Sequence, residues 1–125
     1  MKIEEILLID DDPVINFINK KVVKTEFPHH PVVILENGLK GVEYIRQNPQ
    51  KFYLIFLDLN MPVMNGWQFL ETITEDKNQY RLNIHILTSS IDLRDETKAK
   101  ENELVLSYLT KPLKSKILTE IKLGL

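Results

Sequence analysis

Short apolar runs punctuate the chain at regular intervals, with amphipathic stretches between them. The runs are Ile6–Ile9, Val32–Leu35, Tyr53–Leu57, Ile84–Leu87 (interrupted by His85) and Leu104–Leu106. Continuous runs suit strands buried on both faces, as in a parallel sheet, better than strands with one wet face. The intervening stretches carry helical spacing. Val14, Ile15, Ile18 and Val22 predict an apolar helix face, with Asn16, Asn19, Lys20 and Lys21 on the other side. Val42 and Ile45 pair in a second helix that Asn48-Pro49 closes. Trp67, Leu70 and Ile73 mark a third helix, and Leu113, Ile117, Leu118 and Ile121 mark the last. The segment from Asp92 to Glu103 is helix-like but highly charged, so it should be the loosest of the five. Strand and helix thus alternate five times with short connections, which predicts an α/β domain with right-handed crossovers onto one parallel sheet.

Composition narrows this picture without redirecting it. A chain of 125 residues holds one ordinary domain, and its 43% hydrophobic content is that of a soluble globular protein. The net charge of −2 and the lack of a basic block give no pull toward nucleic acid. With no cysteine, disulfides and thiolate chemistry are excluded. No apolar run approaches the length needed to span a bilayer, and MKIEE leads straight into the first strand with no secretory h-region. A cytoplasmic location is expected.

In open parallel sheets, ligands bind outside the carboxyl ends of the strands. The polar residues that follow the apolar runs are therefore the candidates. Asp10, Asp11 and Asp12 follow the first run and Asp58 ends the third. Thr88, Ser89 and Ser90 follow the fourth, and Thr110 and Lys111 lie beyond the fifth. Clustered carboxylates match a hard divalent cation such as Mg²⁺. A cation, an ammonium and a hydroxyl around one further carboxylate suit a phosphoryl group. Asp58, set apart from the acidic run, is the candidate nucleophile. Pro13 is favoured at a first helical position, which makes Asp12 the expected N-cap of the first helix.

The segments LLIDDDP, LDLNMPVMNGWQF, ILTSS and YLTKP, in this order and spacing, closely resemble the receiver domain of two-component response regulators. The resemblance covers essentially the whole chain. It implies a doubly wound, five-stranded parallel sheet of the flavodoxin-like or CheY-like type, strand order 2-1-3-4-5. Residues 1–125 would form one receiver domain with no output domain. Asp58 would be the phosphoacceptor, taking a phosphoryl group from a sensor histidine kinase or a histidine phosphotransfer protein. Asp11, Asp58 and the main-chain carbonyl of Asn60 would bind Mg²⁺ directly, with Mn²⁺ as a substitute, and Asp10 would act through water. Lys111 would pair with the phosphoryl oxygens and Thr88 would donate a hydrogen bond to them. Tyr108 would be the aromatic that moves with Thr88 in the switch, while Asn60 and Ser90 would tune dephosphorylation. The Lys111-Pro112 peptide would be cis.

The resemblance also implies a signalling protein that is no enzyme beyond assisting its own phosphorylation and dephosphorylation. A downstream protein would dock on the face made by the fourth helix, fifth strand and fifth helix. No nucleic acid or membrane partner is expected, and the chain would be a monomer or weak dimer. Two departures bear on that output face. Lys100-Glu101-Asn102-Glu103 stands where the family commonly has a glycine, and Asn65 holds a turn position that is often aspartate.

Other readings fit less well. A haloacid dehalogenase-type phosphohydrolase would use Asp10 and Asp12 as its D-x-D, but Val14 replaces the usual threonine and Asp58 would have no role. A dinucleotide fold lacks its G-x-G-x-x-G. A pseudo-receiver would have lost part of the set. His29 and His30 read as a solvated turn, His85 as a core-edge residue and Trp67 as a packing residue.

Overall fold

The computed structural model describes residues 2–89 and 91–125. Five strands, β1 (Glu5–Ile9), β2 (Val32–Leu35), β3 (Phe52–Leu57), β4 (Arg81–Thr88) and β5 (Val105–Thr110), alternate with five helices. The helices are α1 (Pro13–Glu26), α2 (Gly38–Gln47), α3 (Gly66–Thr74), α4 (Leu93–Glu101) and α5 (Ser115–Leu123). A 3-10 turn at Lys77–Gln79, which the apolar pattern does not announce, precedes β4. Every strand pairing is parallel and the order is β2-β1-β3-β4-β5. The expected doubly wound topology is the one found.

The side-chain period of two divides the central strands between two cores. Leu7 and Ile9 of β1 pack with Val42, Ile45, Phe69, Leu70, Ile73 and Ala99 of α2, α3 and α4. Ile6 and Leu8 pack on the opposite face with Val23 of α1, Phe27, Leu113 and Leu118 of α5. Every residue of β1 is buried, whereas the edge strands β2 and β5 are only partly covered. Leu106 of β5 is 57% exposed.

Two helices depart from simple amphipathic expectation. In α1 the buried residues are Asn16, Asn19 and Val23, while Val14, Phe17 and Ile18 are exposed. The apolar face predicted from Val14, Ile15, Ile18 and Val22 is therefore rotated largely outward. The reason is tertiary: both amides find backbone partners across the layer, described below. The charged α4 buries Ala99 alone. Trp67 of α3 supplements that thin anchor: its indole N–H donates to Asp95 over 3.3 Å and Lys98 lies 4.5 Å above its ring. Among the described residues no helix is long and apolar enough to cross a membrane.

His85 sits in the core at 5% exposure, stacked on Phe56, with Nδ1 2.6 Å from the Ser107 hydroxyl of β5. Burial pushes its pKa down from 6.5 to about 4. The folded state thus favours neutral imidazole, a contribution fully present above pH 6.5 and lost as pH falls toward 4. Between those limits the wild type is expected to lose on the order of 1–3 kcal/mol more stability than His85→Gln. Urea unfolding at pH 7 and pH 4.5 checks this; equal losses in both proteins would refute it.

Candidate functional site

The three aspartates after β1 have three different environments. Asp12 has the extended backbone of a helix cap, and its carboxylate accepts the N–H groups of Val14 at 2.9 Å and Ile15 at 3.2 Å. It is the N-cap that Pro13 implied. Asp10 is 4% exposed and doubly engaged: one oxygen accepts the Asp12 N–H at 2.9 Å and the other meets the Lys111 ammonium at 2.7 Å. Asp11 is exposed and makes no hydrogen bond or ion pair among the described residues.

Asp58 follows β3 and is 5% exposed. Lys111, after β5, reaches it at 3.4 Å. Glycine is required where α3 closes on this strand end. A Cβ at Gly66 would lie 2.4 Å from the Asp58 carbonyl oxygen and 2.9 Å from the Leu59 Cα. The helix then starts with a capping box between Asn65 and Gln68. The intervening loop holds Val63 at φ +69°, a backbone region costly for a β-branched residue.

One carboxylate oxygen from each of Asp10, Asp11 and Asp58 can be chosen so that all lie within 4.8 Å of one another. Unit charges about 4 Å apart repel by roughly 4 kcal/mol at an effective dielectric near 20. Burial, then the Asp10 charge, push the Asp58 carboxyl up to about 6, only partly offset by Lys111 and the Asn60 N–H. Burial alone would lower the Lys111 ammonium pKa. Its hydrogen bond and charge interactions with Asp10, then Asp58, outweigh that and raise it. The donor set therefore fits a hard dication: three carboxylates converge, two are buried against one lysine, and the third is uncommitted. The cluster opens into a cleft of about 560 Å³ lined also by Ile15, Asn60 and Ser89.

The response regulator receiver domain family matches residues 6–122. The chain belongs to that family. Its relatives include the response regulator Rcp1 of Synechocystis, 30% identical over 96% of this chain and 84% of that protein. Sensor protein GacS of Pseudomonas syringae is 31% identical over 93% of this chain, which spans only 13% of that protein. Among solved structures, a two-component response regulator from Cytophaga hutchinsonii superposes with a TM-score of 0.83 at 28% identity, covering 99% of this chain and 97% of that one. The Mn²⁺-bound form of Rcp1 gives 0.75 at 29% identity, covering 97% and 90%. The receiver domain of two-component signalling is thus the frame for the acidic pocket of Asp10, Asp11 and Asp58.

The receiver fold brings Asp10, Asp11, Asp58, Asn60 and Lys111 together at one end of the sheet. Thr88 ends β4 at 3% exposure and its side chain does not line the cleft. Tyr108 lies on β5 and packs against the α4-side core. The Lys111-Pro112 peptide is cis. Ser90 lies outside the described residues. Asn16 and Asn19 of α1, whose side chains bond the Asp10 carbonyl and the Leu113 N–H, were not legible as neighbours of the site. Their only sequence signal is an amide pair at i, i+3 just after the acidic run.

Two stability measurements separate the carboxylates. Asp12→Ala is expected to cost about 0.5–2 kcal/mol in urea unfolding while Mg²⁺ affinity stays within about twofold. Loss of Mg²⁺ binding instead would reassign the cap. A carboxyl whose folded pKa is raised, as at Asp58, contributes stability that is fully present below pH 3.8 and lost as pH rises through about 6. Without divalent cations, Asp58→Asn should therefore exceed the wild type by on the order of 1–2 kcal/mol at pH 7.5, the gap closing near pH 4.

Proposed function

We propose that this receiver domain is the phosphoacceptor of a two-component phosphorelay, with Asp58 as the nucleophile. The observation that carries this reading is the pairing of a buried Asp58 with Lys111 beside the uncommitted Asp11. An Asp58 oxygen would attack the phosphorus of a partner's phosphohistidine. The P–N bond breaks, the electron pair returns to the imidazole, and an acyl phosphate remains on Asp58. Lys111 holds the phosphoryl oxygens, and Asp10, already bound by Lys111 and the Asp12 N–H, keeps that lysine aimed at the cleft. Asp11, Asp58 and the Asn60 carbonyl would hold Mg²⁺, with Asp10 acting through water; Mn²⁺ would substitute, as it is found in Rcp1. Bound there, the cation supplies charge neutralisation for the in-line transfer.

Phosphorylation adds about −1.5 to −2 of charge at one strand end. Thr88 would turn to donate to it, and Lys111 would stay paired with it. Tyr108 provides the second half of the switch. Its hydroxyl is buried without a hydrogen-bond partner among the described residues, an arrangement that costs about 1–3 kcal/mol. The change would be read on the α4–β5–α5 face, where a downstream protein docks. Asn60 and Ser90 would set the dephosphorylation rate. The phosphodonor would approach over α1, where exposed Val14, Phe17 and Ile18 continue from Ile15 at the cleft. The dehalogenase-type alternative is disfavoured because the carboxylate of Asp12 caps α1.

Incubation with acetyl phosphate and Mg²⁺, followed by intact mass, should show one phosphoryl adduct that Asp58→Ala abolishes. No adduct on the wild type would overturn the assignment. Phe17→Lys should leave this small-donor reaction unchanged. With a phosphohistidine protein as donor, the same variant should slow transfer at least about fivefold.

A further inference from the structure

Helix α1 turns Val14, Phe17 and Ile18 to solvent and buries two amides, Asn16 at 4% and Asn19 at 2% exposure. This is the reverse of what hydrophobic burial favours. Nor are the amides well satisfied, since the Oδ1 of Asn16 is buried with no hydrogen-bond partner among the described residues. A buried polar group in that position destabilises the fold unless its bonds compensate. What the amides do bond to is specific. The Nδ2 of Asn16 donates to the main-chain oxygen of Asp10 at 2.9 Å. The Oδ1 of Asn19 accepts the N–H of Leu113 at 3.0 Å, across 94 residues of sequence. Those backbone partners fix which end of each amide faces inward.

The two residues gripped belong to the two turns whose side chains form the central ion pair. Asp10 lies in the acidic turn, and Leu113 is two residues beyond Lys111; Asp10 and Lys111 meet at 2.7 Å. We infer that Asn16 and Asn19 are positioning residues, and that α1 acts as a splint setting the acidic turn and the lysine turn at their working separation. Asn16 governs the carboxylate side of the site, and hence cation affinity. Asn19 governs where the Lys111 ammonium sits, and hence the transfer step. Outer groups that orient ligating side chains carry large effects of this kind without touching the ligand. The inference rests on the phosphoacceptor reading only for its Asn19 half.

The division gives a test that a purely structural role would not satisfy. Asn16→Leu removes the orphaned oxygen but also the donor to the Asp10 carbonyl, so the two effects offset and its urea midpoint should stay close to that of the wild type. Its Mg²⁺ affinity by calorimetry should nonetheless fall about tenfold, with the acetyl phosphate reaction rate at saturating Mg²⁺ within about twofold. Asn19→Leu should do the opposite, keeping Mg²⁺ affinity within about twofold and slowing the reaction about tenfold. Asn19→Asp, which keeps an acceptor for the Leu113 N–H, should recover most of that rate. Wild-type Mg²⁺ affinity in Asn16→Leu, or an Asn19→Asp as slow as Asn19→Leu, would overturn the proposal. So would parallel losses in both parameters that track stability alone. A wild type that takes no phosphoryl group would refute the phosphoacceptor reading, and the calorimetry of Asn16→Leu would still decide the splint.

Discussion

One ammonium shared between two buried carboxylates organises this end of the molecule. Lys111 meets Asp10 at 2.7 Å and Asp58 at 3.4 Å, with all three side chains nearly enclosed. Two carboxylates buried this close stay ionised together only with a cation between them. That requirement ties together three strand ends far apart in sequence, so β1, β3 and β5 must terminate at one level. The parallel register provides this: Ile9 pairs with Leu57 on β3, and the chain continues directly into Asp10 and Asp58. A single lysine compensates the cluster only in part, and Asp58 retains a raised pKa. The remaining negative charge is what a divalent cation would neutralise.

Buried acidity alone does not mark such a site. Glu5, at the opposite end of β1, is 5% exposed, yet the Tyr44 hydroxyl and the Lys51 ammonium at 2.8 Å engage both of its oxygens. Its charge is answered within the fold by those two partners. At the other end, Asp11 is exposed, unpartnered among the described residues, and set against two buried carboxylates. The difference between a structural acid and a candidate ligand lies in the unsatisfied remainder.

The same contrast separates the anchored helices from α4. Helices α2 and α3 bury three or more residues each, whereas α4 buries Ala99 and leans on Trp67 through Asp95 and Lys98. Few buried contacts mean a low local cost of opening.

Much of this was written into the chain locally. The alternation of apolar runs and helical periods specified five strands, five helices and a parallel sheet, because burial on both faces leaves a continuous apolar signature. Strand ends named Asp10, Asp11, Asp58, Thr88 and Lys111, and Pro13 singled out Asp12 as a cap, since capping is settled within four residues. The orientation of α1 was not legible. Val14, Ile15, Ile18 and Val22 form an acceptable inward stripe by period alone, and Asn16 and Asn19 look like its solvent face. Only the packed structure reverses that choice, because the groups that reward burying those amides are the Asp10 carbonyl and an N–H 94 residues away. Periodicity reports what a helix can bury; long-range backbone partners decide what it does bury.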